Sequence, residues 1–137
     1  MRPESLSAAI KGATNAWLPV AGYCTLLFIQ SSFSAPELLP SFSGMDKLLH
    51  FGAYGVLGLL FMRAFTQSIP RLGARRIIFY SILLTTAYGL SDEAHQYFVV
   101  VRTADMMDVL ADAMGGGCGT FLYCICNREV FASGGDR

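Results

Sequence analysis

The chain has 137 residues, room for one domain, and is 53% hydrophobic but only 15% charged, with a mean hydropathy of +0.46. Soluble domains carry about a quarter charged residues, so the composition leans towards lipid as solvent. Formal net charge is zero and no basic cluster is large enough to grip phosphate backbones, which excludes a nucleic-acid partner.

Four apolar stretches follow in order, at residues 13–33, 48–65, 77–99 and 106–125. Each is near the roughly 20 residues that a membrane-spanning helix needs. Breakers separate them: Pro36, Pro40 and Gly44 lie in the first connection, Pro70 and Gly73 in the second, and residues 99–104 form a short third link. Arg2 and Lys11 before the first stretch, and Ser-Phe-Ser-Ala after it, resemble a secretory signal. Pro36 directly after Ala35 argues against cleavage there, so the first helix is expected to be retained. The expected architecture is an all-α polytopic membrane protein, with four transmembrane helices in an antiparallel bundle. Residues 1–12 form a cytoplasmic N-terminal segment, 13–126 the membrane domain and 127–137 a cytoplasmic polar tail.

Cys24, Cys118, Cys124 and Cys126 lie in or beside apolar stretches and read as small fillers of helix faces rather than a disulfide scaffold. Lys and Arg set the orientation. With the N-terminus cytoplasmic, Arg2, Lys11, Arg63, Arg71, Arg75, Arg76, Arg128 and Arg137 lie inside, and only Lys47 and Arg102 lie outside. Both termini are therefore expected on the cytoplasmic side. The acids divide the opposite way: Glu37, Asp46, Asp92, Glu93, Asp105, Asp108 and Asp112 face outward.

Several of these acids sit within the spans. Asp112, some seven residues into the fourth stretch, lies about 10 Å deep at 1.5 Å per residue. Ionisable groups at such depth face a bundle interior or a wet cavity rather than lipid. Spacing gathers them: Asp46, His50 and Tyr54 recur every four residues on the second helix. On the third, Asp92 matches His95 and Gln96, and Glu93 matches Gln96. On the fourth, Asp105, Asp108 and Asp112 share a face, and Arg102 in the preceding link can reach back across the acids. Small-residue ridges at Gly52, Gly55 and Gly58, and at Gly115 to Gly119 through Gly116 and Gly117, allow the second and fourth helices to approach closely.

Local roles account for part of this set. Asp46 and Asp105 suit helix caps, Lys47 an interfacial anchor, and His50 alone a packing histidine. For the remainder, a metal site, acid–base chemistry and a hydrogen-bonded cluster centred on Arg102 all stay open. No metal-ligand spacing such as H-E-x-x-H occurs, so neither a metal nor any cofactor is expected.

Asp46-Lys47-x-x-His50-Phe51-x-x-Tyr54, Asp92-Glu93-x-His95-Gln96, Arg102 and Asp108-Val109-Leu110-Ala111 followed by Gly115 together resemble the VanZ-like family, over about residues 31–122. The resemblance implies a small multi-pass protein of the bacterial cytoplasmic membrane, with no settled biochemical activity. The family's namesake is associated with low-level resistance to the glycopeptide teicoplanin. Carried over by position, the motif residues are Asp46, Lys47, His50, Tyr54, Asp92, Glu93, Gln96, Arg102 and Asp108. The chain departs from the family pattern at Asp112, where Asn is usual, and at residues 99–101, where a Pro-Gly turn is common.

The expectation is an outward-facing polar pocket that binds a membrane lipid, a lipid-linked cell-wall precursor or a glycopeptide-related ligand. Two alternatives accompany it. One is an intramembrane enzyme on a lipid-linked substrate, with Glu93 or His50 as general base and Arg102 holding an anion. The other is proton- or cation-linked transport, which with so few helices requires a homo-oligomer.

Overall fold

A computed structural model describes residues 3–32, 44–98 and 105–132, with the side chains of 3–10, 130 and 132 outside that description. Among the described residues the chain is all α, with no strand. Four long helices, α1 (Pro3–Ser31), α2 (Met45–Ser68), α3 (Ala74–Gln96) and α4 (Met106–Cys126), are followed by the short α5 (Arg128–Ala132).

The punctuation residues act where the sequence places them. Gly44, at φ 90°, precedes α2, and Gly73, at φ 80°, turns the chain from a 3₁₀ turn at Pro70–Leu72 into α3. Both need the positive φ that a side chain disfavours. Asp105 caps α4, its side chain accepting from the Met107 N–H at 2.9 Å. Two boundaries differ from the sequence reading. The first helix starts at Pro3 rather than residue 13, because hydropathy marks where a helix turns apolar and not where its backbone begins. In the expected polar tail, α5 adds a helical turn.

By length and composition, α2 and α4 can cross a membrane. The expectation of four spans is thus met for two helices on this criterion. The other two long helices are diluted by polar residues; α3 carries Arg75, Arg76, Ser81, Thr85, Asp92 and Glu93 within its 23 residues.

The buried apolar core is built from α1, α2 and α3, with Tyr123, Cys124 and Phe131 packed against it. Ala16, Val20 and Leu27 of α1 pack with Tyr54, Leu57, Phe61, Met62 and Phe65 of α2 and with Ile77 of α3. Trp17 meets the Phe65 ring edge-on, with centroids 5.0 Å apart. Two tyrosine hydroxyls fasten α1 laterally: Tyr23 donates to the Ala53 carbonyl of α2, and Tyr88 of α3 donates to the Cys24 carbonyl.

The fourth helix is held differently. Its buried residues are Asp108, Asp112, Gly115, Gly116, Gly119 and Thr120, none of them a large apolar side chain. Glycine brings its backbone against α2. A side chain at Gly119 would run into the Gly55 carbonyl, one at Gly115 into the Phe51 carbonyl, and one at Gly58 into the Gly116 carbonyl. Gly52 and Gly117 face open space, so two of the glycines in the expected ridges take no part in the contact. Outward, the bundle shows large apolar side chains such as Leu18, Phe79, Leu90, Met114 and Phe121. Apolar residues outside and Ser81, Thr85, Asp92, Glu93 and Gln96 of α3 inside invert the pattern of a water-soluble bundle.

Candidate functional site

The site lies where α2, α3 and α4 converge, around Asp112. Its carboxylate is fully buried, and Oδ1 accepts from His50 Nδ1 at 2.9 Å. Two features of the sequence make room for it. Asp112 lies one helical turn after Asp108 on the buried face of α4, and Gly89 of α3 stands opposite. A methyl group at position 89 would come within 2.8 Å of Asp112 Cβ. Asp112 Oδ2 has no hydrogen-bond partner among the described residues.

Glu93, 4% exposed, joins from α3. Its Oε2 accepts from the Asp105 backbone N–H at 2.8 Å and so ties α3 to the start of α4, whereas Oε1 is buried without a partner among the described residues. One turn on, Gln96 Nε2 donates to Asp92 Oδ2 at 3.3 Å, both side chains being buried. His50 stacks parallel to Tyr54 with centroids 6.0 Å apart. The Tyr54 hydroxyl is buried beside Asp92 without a well-formed hydrogen bond.

A single lysine gathers the acids at the mouth of the cluster. Lys47 Nζ lies 2.8 Å from Asp105 Oδ2, 3.1 Å from Asp108 Oδ1 and 3.2 Å from Asp46 Oδ2. The Lys47 ammonium, helped by the Met107 N–H, holds the Asp105 carboxyl below the usual carboxylate range. Sequence spacing gave the bridging role to Arg102, which lies outside the described residues, and read Lys47 as an interfacial anchor. Among the described residues Lys47 is the bridge.

Of the expected site residues, Lys47, His50, Tyr54, Asp92, Glu93, Gln96, Asp105, Asp108 and Asp112 therefore come together, with Asp46 at the solvent-facing rim. His95 does not join them. It faces α1, its Nε2 lying 3.1 Å from Ser32 Oγ and its ring 4.6 Å from that of Phe28. Ser32 gives its own proton to the Phe28 carbonyl, so His95 is the donor. Sequence reasoning missed Gly89 and Thr85. The methyl of Thr85 packs where Gly116 lacks a side chain, and its hydroxyl bonds back to the Ser81 carbonyl at 2.8 Å. Both are small residues four apart from other buried α3 positions, which is the signal that could have found them.

One ligand atom each from His50, Glu93 and Asp108 lies within 4.8 Å of the others, one residue from each of three helices. Local motif spacing cannot register such a set. Below the polar cluster, an open apolar groove of about 220 Å³ runs between α2 and α4, lined by Phe51, Gly52, Gly55, Val56, Leu59, Gly115, Cys118, Gly119 and Leu122.

A protein-family model described as VanZ/LLP1 matches residues 7–127, extending the motif resemblance through α1 and to the end of α4. No curated protein and no solved structure matches the chain. With most of its length covered by that model, and its described motif residues converging from three helices, the chain belongs to the VanZ/LLP1 family.

Proposed function

We propose that this protein is a four-span protein of the bacterial cytoplasmic membrane, with both termini inside, whose α2–α3–α4 cluster binds the polar head group of a lipid or lipid-linked cell-wall precursor. The observation that carries this is the burial of unpartnered carboxylate oxygens, Glu93 Oε1 and Asp112 Oδ2, inside a bundle with an apolar exterior. Buried charge without partners is costly, and is retained where a ligand or a wet cavity completes it. The apolar groove supports the same reading. Phe51 follows His50 directly and Gly115 lies three residues after Asp112, so the groove starts where the polar cluster ends and can take the hydrocarbon chain of such a ligand. On this reading, ligand binding in the pocket alters susceptibility to glycopeptides of the teicoplanin type.

Native mass spectrometry of the full chain in mild detergent tests the reading. A lipid carrying a polar or phosphorylated head group is expected to copurify, and to be lost in Glu93→Gln and Asp108→Asn. Unchanged lipid retention and unchanged glycopeptide susceptibility in both variants would sink it.

An enzymatic reading is favoured by one arrangement, the His50–Asp112 pair beside the free oxygen of Glu93, which is suited to proton transfer. Turnover of a lipid-linked precursor by purified protein, abolished in Glu93→Gln, would establish it.

A further inference from the structure

We infer that His50, Glu93 and Asp108 form a binding site for a divalent transition-metal cation, with Asp112 positioning the His50 ring. The site sits in the proposed head-group pocket, yet the inference rests on the geometry of these side chains and not on the identity of any lipid.

Three observations converge. The ligand atoms come from three different helices and lie within 4.8 Å of one another, with Glu93 and Asp108 buried and His50 half-buried. Each of the three retains coordinating capacity. Glu93 commits Oε2 to the Asp105 N–H and has Oε1 unpartnered although the residue is only 4% exposed. Asp108 commits Oδ1 to Lys47 and keeps Oδ2. His50 commits Nδ1 to Asp112, and Nε2 has no hydrogen bond among the described residues. The third observation is the His50–Asp112 pair itself. A carboxylate that accepts from one imidazole nitrogen fixes the tautomer and turns the other nitrogen's lone pair outward, as metal-ligating histidines are commonly held. A histidine serving only to pack has no need of a fully buried carboxylate behind it.

Charge balance favours a cation here. Asp46, Asp105 and Asp108 share the Lys47 ammonium, whereas Asp92, Glu93 and Asp112 meet no lysine or arginine among the described residues. Arg102, the other base on the expected outer side, still leaves the acids in excess. The donor set selects the class of ion. One imidazole with two carboxylates and no thiolate suits zinc, manganese or iron(II) better than the all-oxygen sites of calcium and magnesium. Metal–ligand distances of about 2.0–2.2 Å put ligand atoms at most about 4.4 Å apart, close to the separation these three side chains already have. Three protein ligands also leave a coordination position for water or for an anionic head-group oxygen.

The test uses the full-length chain in detergent, free of any affinity tag, stripped with EDTA and measured without added lipid. Equilibrium dialysis against Zn²⁺ and Mn²⁺, with Mg²⁺ for comparison, is expected to give one transition-metal ion per chain and markedly weaker retention of Mg²⁺. His50→Gln, Glu93→Gln and Asp108→Asn should abolish that binding, and Asp112→Asn should weaken it by about tenfold or more. His95→Gln and replacement of all four cysteines by serine should leave it intact. Helix content by circular dichroism and a single chromatographic peak establish that each variant is folded. Should one of the ligand variants not fold, the absorption spectrum of Co²⁺-loaded wild type decides. Nitrogen and oxygen ligation without a thiolate charge-transfer band supports the site, and a thiolate band overturns it. Stoichiometry far below one ion per chain, or binding that survives the three ligand substitutions, overturns it as well. Metal binding without lipid retention would remove the head-group reading alone, and lipid retention without metal binding would remove this one alone.

Discussion

Asp112 occupies the space that Gly89 leaves open. On facing turns of α3 and α4, the absence of a side chain at position 89 lets the Asp112 carboxylate lie fully buried and reach His50 Nδ1 at 2.9 Å. The smallest addition, a methyl group, would approach Asp112 Cγ to 3.0 Å. Gly89→Ala is therefore expected to destabilise the protein by about 1–3 kcal/mol, the usual cost of overpacking. Gly52→Ala, which meets nothing within 4 Å, should stay near wild type. Thermal unfolding in detergent distinguishes the two, and equal melting temperatures would refute the close approach.

The contact between α2 and α4 depends on glycine backbone rather than on apolar side chains. A Cβ at Gly119 would collide with the Gly55 carbonyl, and a helix backbone cannot yield as a flexible side chain can. Gly119→Ala should push the two helices apart and cost at least about 2 kcal/mol, at the upper end of overpacking penalties. Its near neighbour Gly117 faces open space, so Gly117→Ala should be neutral or slightly stabilising through helix propensity. A cysteine cross-linking or unfolding comparison of the two alanine variants provides the check.

Loss of one hydroxyl should loosen α1. The Tyr88 hydroxyl donates to the Cys24 carbonyl, joining α3 to α1. Tyr88→Phe keeps the ring and removes only the donor, for an expected cost of about 0.5–1.5 kcal/mol. Because the bond involves none of His50, Glu93 and Asp108 and the ring beside Tyr54 is kept, metal or lipid retention should not change. A Tyr88→Phe variant with normal stability and altered ligand retention would contradict that assignment.

At the mouth of the site, Asp105 has two separable roles. Its Oδ1 caps α4 through Met107 and its Oδ2 pairs with Lys47. Asparagine preserves the capping acceptor and removes the charge, whereas alanine removes both. Stability is expected to fall in the order wild type, Asp105→Asn, Asp105→Ala, with the first step diminished by added salt because the pair is solvent-exposed. A first step that is insensitive to salt would show that the ion pair contributes nothing.

How much of this was legible along the chain follows from the range of each interaction. His50 and Tyr54, or Asp92 and Gln96, are one helical turn apart, and their spacing was enough to place them together. Glu93 was expected to act with Gln96. Its hydrogen bond instead goes to the Asp105 backbone, twelve residues away, a choice made by how α3 and α4 meet. The same spacing rule put His95 with Asp92, while the rotation of α3 in the bundle turned that ring to Ser32, just past the end of α1. Glycines behaved alike: a ridge of small residues is visible in sequence, but which of them touch depends on where the helices cross.

Sequence by itself determined the helical segments, their breaks at Gly44, Gly73 and Asp105, and the presence of acids too deep to be incidental, because these follow from hydropathy and from backbone chemistry within a turn or two. Only the tertiary structure decided that Lys47 bridges those acids, that Gly89 makes room for Asp112, and that His50, Glu93 and Asp108 converge. These pairings join residues on different helices, and the crossing and rotation of packed helices set them in a way no local spacing encodes.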